Sequence, residues 1–270
     1  MILKAISSII YLITNKEGAK VLTNERHDMI LSLLDEKQTI KMQDIVDATG
    51  ASESTIRRDL TELENQHKLE RVFGGAMLTE RNSLEPSILD KSTKNLQEKK
   101  RLAKFAASFI QEGDCIFLDA GSTTFQMIPH LKDKNVVVVT NGLTHIDSLN
   151  EYGITTYLTG GLIKFRTAAL VGSQTIQALQ NYRFDKCFLG VNGFHESYGY
   201  TTPDPEEASV KKLASSLARQ TYVVSDHTKY EKVSFTKILD IEEAVLLVDN
   251  LPQEAIESLQ NKTTVKVEKT

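Results

Sequence analysis

The sequence contains few of the residues that mark disulfide-rich, metal-binding or membrane-spanning proteins. It has no tryptophan, five prolines and two cysteines, and Cys115 and Cys187 each lie within an apolar run. Because these positions lack the spacing of a metal site, we expect free thiols in a reducing cytoplasm, no metal ion and no cofactor. The apolar stretch 2–13 is too short to cross a bilayer, and no membrane partner is predicted.

The length and composition indicate about two globular domains. The 270 residues are 40% hydrophobic and 25% charged, which is enough apolar material for sizeable cores. The net charge of −4 argues against general nucleic-acid binding over the whole surface, since attraction to phosphates needs positive charge. Recognisable patterning begins only at Leu22, so we expect residues 1–20 to be an extension that belongs to neither domain.

Residues 21–78 have the pattern of a winged helix-turn-helix. Apolar residues at helical spacing predict helices over 25–36 and 41–49, and a third helix from a cap at Ser52 to about residue 66. The pair Gly74-Gly75 stands between two short extended runs, which is typical of a hairpin turn. Three helices followed by a small hairpin predict this fold.

The third helix is the predicted DNA-reading element, because the second helix of such a motif enters the major groove. Acidic residues outnumber basic ones by twelve to seven within 21–80, but four of the seven basic residues lie on this helix and the hairpin. Hydroxyl groups suit phosphates, and arginines suit phosphates or guanine edges. The predicted DNA contacts are Ser52, Ser54, Thr55, Arg57, Arg58, Thr61, Lys68 and Arg71. A winged helix that contacts another protein is the alternative.

The remainder of the chain has the pattern of an α/β domain. Residues 79–95 are polar and are predicted to be a linker, and 96–270 are predicted to form the second domain. An amphipathic helix is predicted over 94–111. Apolar runs that alternate with helical stretches predict a parallel sheet covered on both faces. Its strands are expected at 115–119, 136–139, 155–158, 186–190, 222–225, 244–248 and 265–267.

One polar turn has the chemistry of a phosphate site. The sequence Gly121-Ser122-Thr123-Thr124 follows a predicted strand that ends at Asp119, and it opens a predicted helix. Backbone N–H groups and hydroxyls at such a turn can hold a phosphate, although an ordinary helix cap has the same residues. Other polar turns also follow predicted strands, and ligands of parallel sheets bind at that edge.

A long motif runs through the N-terminal domain. It consists of Glu25-Arg26, Ser54-Thr55-Ile56-Arg57-Arg58-Asp59-Leu60, Leu63-Glu64 and Arg71-Val72-Phe73-Gly74-Gly75-Ala76. This motif closely resembles the signature of DeoR-type transcription regulators. It departs from the usual pattern in having Phe73 in place of a histidine and in lacking a glycine before the hairpin. The resemblance favours DNA over a protein partner.

The resemblance extends over 94–267 and implies an effector domain similar to the ribose-5-phosphate isomerase fold. It implies that the effector site contains the matching residues Asp119, Gly121, Ser122, Thr123, Thr124, Thr140, Asn141, Gly160, Gly161, Gly190, Asn192, Gly193, Glu207, Lys211, Asp226 and Lys229. Finer motifs, such as Phe165-Arg166-Thr167-Ala168, resemble the branch of fructose-operon repressors of Gram-positive bacteria. That branch implies fructose 1-phosphate as the effector. Arg166 is expected, on its charge alone, to be a second anion contact.

The sequence thus predicts a repressor that binds double-stranded operator DNA as a homodimer or homotetramer, since operators are two-fold symmetric. A phosphorylated sugar is expected to release it from DNA. One alternative is a sugar-phosphate isomerase with an added DNA-binding domain, but the neutral Asn192 occupies the position of the isomerases' Asp-rich turn. Another alternative is an activator, because the sign of regulation depends on the position of the operator.

Overall fold

The computed structural model describes residues 22–37, 39–66, 68–72, 74–77 and 87–268. The chain divides into two compact units, Met1–Leu84 and Glu85–Thr270. The expected extension over 1–20 lies outside the described residues, as do Phe73 and positions 79–86 of the predicted linker.

The N-terminal unit contains three helices and a three-stranded antiparallel sheet. The sheet has the order β1-β3-β2, and the fold of this unit confirms the predicted winged helix-turn-helix. Strand β1 was not predicted, because three residues between two helices are too short to show alternation. The elements are α1 (Thr23–Lys37), β1 (Thr39–Lys41), α2 (Met42–Thr49), α3 (Glu53–Asn65), β2 (Glu70–Val72) and β3 (Gly75–Met77).

A buried ion pair connects the first and third helices of this unit. Asp59 on α3 is 3% exposed and accepts hydrogen bonds from Arg26 of α1, with Nε at 2.7 Å and Nη2 at 2.9 Å. The core around it includes Ile30, Ile56 and Leu60. Asp59 therefore fixes the position of α3 from its inner side, while the outer side of the helix stays in solvent.

The C-terminal unit is an α/β domain. Its helices are α4 (Ile88–Thr93), α5 (Leu96–Ala107), α6 (Ser122–Phe125), α7 (Ile146–Glu151), α8 (Ser173–Leu179), α9 (Pro205–Ser216) and α10 (Gln253–Gln260). Its strands are β4 (Cys115–Leu118), β5 (Val137–Thr140), β6 (Thr155–Leu158), β7 (Leu162–Ile163), β8 (Leu170–Val171), β9 (Phe184–Leu189), β10 (Gly193–His195), β11 (Gly199–Thr202), β12 (Ala218–Ser225), β13 (Thr236–Leu239), β14 (Val245–Val248) and β15 (Val265–Val267).

Seven strands form one parallel sheet with the order β15-β14-β12-β9-β4-β5-β6. They correspond to the seven predicted strands, with ends that shift by up to four residues. Apolar clusters cover the two faces, one around Phe117 and Leu246 and the other around Leu118 and Leu247. The predicted fold class, a winged helix-turn-helix followed by a larger α/β domain, is confirmed.

Several elements differ from the sequence-based expectation. The predicted linker 79–95 contains helix α4, whose cap Ser87 exchanges hydrogen bonds with Asp90. Six residues are too few to show helical periodicity. The helix expected over 94–111 is α5, and it starts only after Asn95, which has a φ of 53°. Among the described residues, no helix has the length and apolar content needed to cross a membrane.

Candidate functional site

A polar pocket lies at the carboxyl edge of the seven-stranded sheet. The chain moves from β4 to β5 and β6 in one direction and from β9 to β12, β14 and β15 in the other, so the order reverses between β4 and β9. The turns after these two strands, 119–123 and 190–192, line the pocket. Ligands of open parallel sheets bind at such a reversal, because the loops there diverge and leave a crevice.

Asp119 is the most deeply buried acid of the pocket, with 1% of its surface exposed. Its Oδ2 atom accepts a hydrogen bond from the backbone N–H of Gly190 at 3.0 Å and another from the ammonium of Lys211. Its Oδ1 atom has no hydrogen-bond partner within the described part of the chain. A buried carboxylate oxygen without a donor is costly, so this atom is suited to accept a hydrogen bond from a ligand hydroxyl.

The turn after β4 places two hydroxyl side chains on the pocket and uses a third for support. Ser122 and Thr123 line the pocket, whereas Thr124 is fully buried and its hydroxyl lies 2.6 Å from the carbonyl oxygen of Asp119. Helix α6 has only four residues, so its dipole is small. A bound anion at this turn therefore needs most of its compensating charge from side chains.

His145 supports the same turn from below. Its ring is fully buried, with Nδ1 3.1 Å from the hydroxyl of Thr140 and Nε2 3.4 Å from the carbonyl oxygen of Gly121. Burial lowers the pKa of His145 to about 4, and the contact with Gly121 opposes only part of that shift. The imidazole is therefore neutral at neutral pH and acts as a structural support.

Lysine side chains supply excess positive charge on one side of the pocket. Burial lowers the pKa of Lys99 below its ordinary value, and the carboxylate of Asp226 offsets part of this effect. Neighbouring ammonium groups lower the pKa of Lys99 further, and they belong to Lys229, Lys91 and Lys94. Lys99 is 6% exposed, and its Nζ donates to the carbonyl oxygen of Lys91.

Lys229 has the same character. Burial lowers its pKa, Asp226 opposes the shift, and the nearby Lys232, Lys91 and Lys94 lower it again. Neither Lys99 nor Lys229 forms an ion pair with a described residue. A pocket with mutually repelling, partly desolvated ammonium groups favours a multiply charged anion, because the anion relieves the repulsion.

The pocket residue Glu207 already has partners. Its Oε1 accepts hydrogen bonds from Lys164 Nζ at 2.9 Å and from the Thr167 hydroxyl at 2.7 Å. Burial raises the pKa of Glu207, but the charges of Lys211 and Lys164 and these hydrogen bonds outweigh burial and hold it below its usual value. Glu207 is thus a fixed carboxylate at neutral pH.

Ten of the predicted effector residues come together in this pocket: Asp119, Gly121, Ser122, Thr123, Gly190, Asn192, Glu207, Lys211, Asp226 and Lys229. Thr124, Thr140, Asn141, Gly160, Gly161, Arg166 and Gly193 do not line it.

The residues outside the pocket mostly support it. Thr140 donates to the carbonyl oxygen of Leu118 at 2.6 Å, and Asn141 accepts from the backbone N–H of Ala120 at 3.0 Å. Gly160 has a φ of 70°, and its carbonyl oxygen accepts from the Thr175 hydroxyl at 2.6 Å.

Three further predicted residues have distinct positions. A side chain at Gly161 would collide with Thr175, and one at Gly193 would collide with the backbone of Lys232. Arg166 has an exposed side chain, and its carbonyl oxygen accepts from the N–H of Ile88 at 2.8 Å.

The structure adds pocket residues that sequence reasoning missed, chiefly Ile88 and Lys91 of α4, Lys99 of α5, and Thr167. Lys99 had a signal in the sequence, because it lies three residues before Leu102 and seven before Ala106, on the buried stripe of its helix. A lysine at an apolar position is unusual and points to a partner or a ligand.

The candidate DNA surface is the outer side of α3. Ser52 caps this helix and accepts from the Thr55 N–H at 3.4 Å, while Arg57 and Arg58 extend into solvent. Among the described residues, the guanidinium of Arg57 forms a single ion pair, an exposed contact with Glu53 at 3.2 Å. Such an exposed pair is weak enough to be replaced by a contact with a phosphate.

The hairpin adds a further cation to this surface. The guanidinium of Arg71 on β2 donates to the Thr61 hydroxyl at 2.7 Å, and Lys68 before it is exposed. Ser54 is exposed at the start of α3. The predicted DNA contacts therefore lie on α3 and on the segment that leads into and forms β2.

Family models match both parts of the chain. Residues 26–82 match the DeoR-like helix-turn-helix domain, and residues 94–250 match the DeoR C terminal sensor domain. The second match covers more than half of the chain. The protein therefore belongs to the DeoR family of transcription regulators, and this confirms the resemblance of its N-terminal motif.

Individual relatives cover almost the whole chain. It is 46% identical over 250 residues to the uncharacterized HTH-type transcriptional regulator FruR of Bacillus subtilis (strain 168), which spans 92% of this chain and 100% of the relative. It is 33% identical over 249 residues to the lactose phosphotransferase system repressor of Staphylococcus aureus (strain NCTC 8325 / PS 47), at 90% and 98% coverage.

A structural likeness is also found. Ribose 5-phosphate isomerase A from Neisseria gonorrhoeae aligns with a TM-score of 0.39 and 18% identity, covering 51% of this chain and 54% of that one. A likeness at this level carries no argument about activity.

Proposed function

We propose that this protein is the repressor of a fructose-utilisation operon and that fructose 1-phosphate releases it from its operator. The observation that carries the proposal is the composition of the pocket. Two desolvated lysines, Lys99 and Lys229, stand on one side, and the buried, unpartnered Oδ1 of Asp119 stands on another. A phosphate and a sugar hydroxyl are the two groups that such a pocket accepts together.

The phosphate is assigned to the side with Lys99, Lys229, Ser122 and Thr123. Charge-assisted hydrogen bonds from ammonium groups to a dianion are shorter and stronger than neutral ones. The hydroxyls of the sugar are assigned to Asp119 and to the other polar groups of the pocket. The similarity to FruR and to a lactose phosphotransferase system repressor supports a sugar-linked effector, and the sequence motifs of the fructose branch favour fructose 1-phosphate.

The pocket favours binding over isomerisation. An isomerase needs a carboxylate base together with acid groups placed around C1 and C2 of the sugar. Glu207 Oε1 already accepts two hydrogen bonds, and the amide oxygen of Asn192 accepts one from the Thr202 hydroxyl at 3.1 Å. Asp119 is paired with Lys211 through its second oxygen. No group of three or more potential metal ligands occurs among the described residues.

Titration calorimetry and DNA binding test the proposal together. The full chain should bind fructose 1-phosphate, and the sugar phosphate should weaken its binding to the promoter DNA of its own operon. Free fructose should do neither, because it lacks the dianion. Ser122→Ala with Thr123→Ala should bind DNA normally and respond less to fructose 1-phosphate.

Two results would contradict this function. Equal affinity of the double variant and the unaltered protein for fructose 1-phosphate would place the phosphate elsewhere. Tight binding of a different sugar phosphate, with fructose 1-phosphate inert, would retain the pocket and reject the fructose assignment.

A further inference from the structure

The end strand of the parallel sheet is unusually open. Strand β6 pairs with β5 on one side, and no described strand pairs with its other side. Its residues Thr155, Tyr157 and Leu158 are exposed, although the ring of Tyr157 lies 5.8 Å from that of Tyr182. Proteins usually protect such an edge with charged residues, proline or a bulge, because free backbone groups attract another strand. The sequence of β6 has no charge and no proline.

The chain that follows β6 is also exposed and apolar. Tyr157 and Leu158 are 50% and 41% exposed, and Leu162 and Ile163 of β7 are 70% and 52% exposed. Phe165, two residues further on, is 98% exposed. We call these five residues the 157–165 surface. Exposed apolar side chains that cluster in this way mark an interaction site.

Phe165 is held in solvent by an ordered turn. The N–H of Lys164 donates to the carbonyl oxygen of Ala169 at 2.8 Å, and the N–H of Ala168 donates back to Lys164 at 2.8 Å. The ammonium of Lys164 lies 2.9 Å from carboxylate oxygens of Asp204 and Glu207. The turn thus presents the phenyl ring on a fixed scaffold.

We propose that two copies of this chain associate through the 157–165 surface, with their β6 edges side by side about a two-fold axis. In a two-fold interface each residue lies close to the same region of the second copy. A charged residue there would therefore be repelled by its own counterpart. Segment 155–165 contains no acidic residue, and its one cation, Lys164, is neutralised by two carboxylates. The uncharged strand edge and the apolar surface of one copy can therefore pack against the same features of a second copy.

The turn of Phe165 is also connected to the effector pocket. Thr167, two residues further, lines the pocket and donates a hydrogen bond to Glu207. The carbonyl oxygen of Arg166 accepts a hydrogen bond from the N–H of Ile88, the first residue of α4. The proposed interface therefore shares its scaffold with the pocket. Its existence does not depend on the identity of the effector.

Sedimentation equilibrium of the full chain tests the interface without ligand or DNA. The unaltered protein should be a dimer or a larger even assembly. The double variant Leu162→Ser with Phe165→Ser should halve that mass. Because a two-fold interface loses each of these side chains twice, the dissociation constant of the assembly should rise about 100-fold or more. Phe235→Ser is the matched control, because Phe235 is 87% exposed and lies elsewhere in the sequence.

Hydrogen exchange gives a second readout that needs no variant. The amides of β6 should exchange more slowly as protein concentration rises, because the second strand edge covers them. A monomeric unaltered protein, or dissociation by Phe235→Ser in place of the double variant, would overturn the proposal. Concentration-independent exchange of β6 would overturn the strand pairing even if the double variant failed to fold.

Discussion

Replacing Lys99 by methionine should weaken the binding of fructose 1-phosphate and at the same time stabilise the unliganded protein. Methionine keeps most of the side-chain volume and removes the charge. Without a ligand, the ammonium of Lys99 is 6% exposed and stands among other lysines, which together lower its pKa. Burial and repulsion both disfavour the charged form, so its removal should raise the free energy of unfolding.

The magnitude follows from the type of contact that is lost. A hydrogen bond to a charged group contributes about 1.5–3 kcal/mol, so the Kd for the sugar phosphate should rise by roughly 10- to 150-fold. Calorimetry measures this change, and thermal denaturation without ligand measures the stability. Lys100→Met is the matched control, because Lys100 is the neighbouring residue on α5 and is exposed. It should alter neither quantity.

The opposite directions of the two effects make the test strict. A residue that only supports the fold would lower stability and affinity together. Unchanged affinity of Lys99→Met for fructose 1-phosphate would refute the assignment of the phosphate to the lysine side of the pocket. A loss of stability in the unliganded variant would refute the view that the charge of Lys99 is unfavourable before the ligand binds.

Three other perturbations give distinct results. Asp59→Ala should cost about 3 kcal/mol of stability, since it removes the buried partner of Arg26, and urea denaturation measures this. Arg57→Ala or Arg58→Ala should weaken operator binding by about 1–3 kcal/mol without lowering the melting temperature. Normal affinity and specificity in both variants would reject α3 as the helix that reads the DNA sequence. The pKa of His145 falls from 6.5 to about 4 on folding, so its stabilisation, roughly 3 kcal/mol, is present above pH 6.5 and lost as pH falls towards 4. His145→Gln should flatten that part of the pH–stability curve measured by urea denaturation.

Periodicity predicted the parallel sheet well because most of its strands are continuous apolar runs buried on both faces, although the edge strand β6 is largely exposed. A run such as 115–118 is apolar throughout and is bounded by polar turns, so its strand is visible without any tertiary information. The small strands β7, β8 and β10 have two or three residues each. β7 pairs with β8 and β10 pairs with β11, their neighbours along the chain, but two or three residues are too few to show the alternation that predicts a strand.

The pocket was predictable only where it is built from turns after strands. Asp119, Gly190 and Asp226 follow strands directly, so the rule that ligands bind at that edge finds them. The same rule also included Thr140, which ends β5, and Asn141, which follows it, but both use their side chains to hold neighbouring backbone. Sequence position gives the edge of the sheet, but it does not give the direction of a side chain.

The lysines show how a mildly acidic protein can have an anion site. The net charge of −4 describes the whole surface, whereas the field inside the pocket depends on a few desolvated groups. Lys99 and Lys229 come from helix α5 and from the turn after β12, and their positive charges repel each other. A ligand shifts an equilibrium only by its differential affinity for the two states. A dianion bound as proposed would remove this repulsion, so it would favour the arrangement in which α5, α4 and that turn are closest. Helix α4 is the first described element of the C-terminal unit.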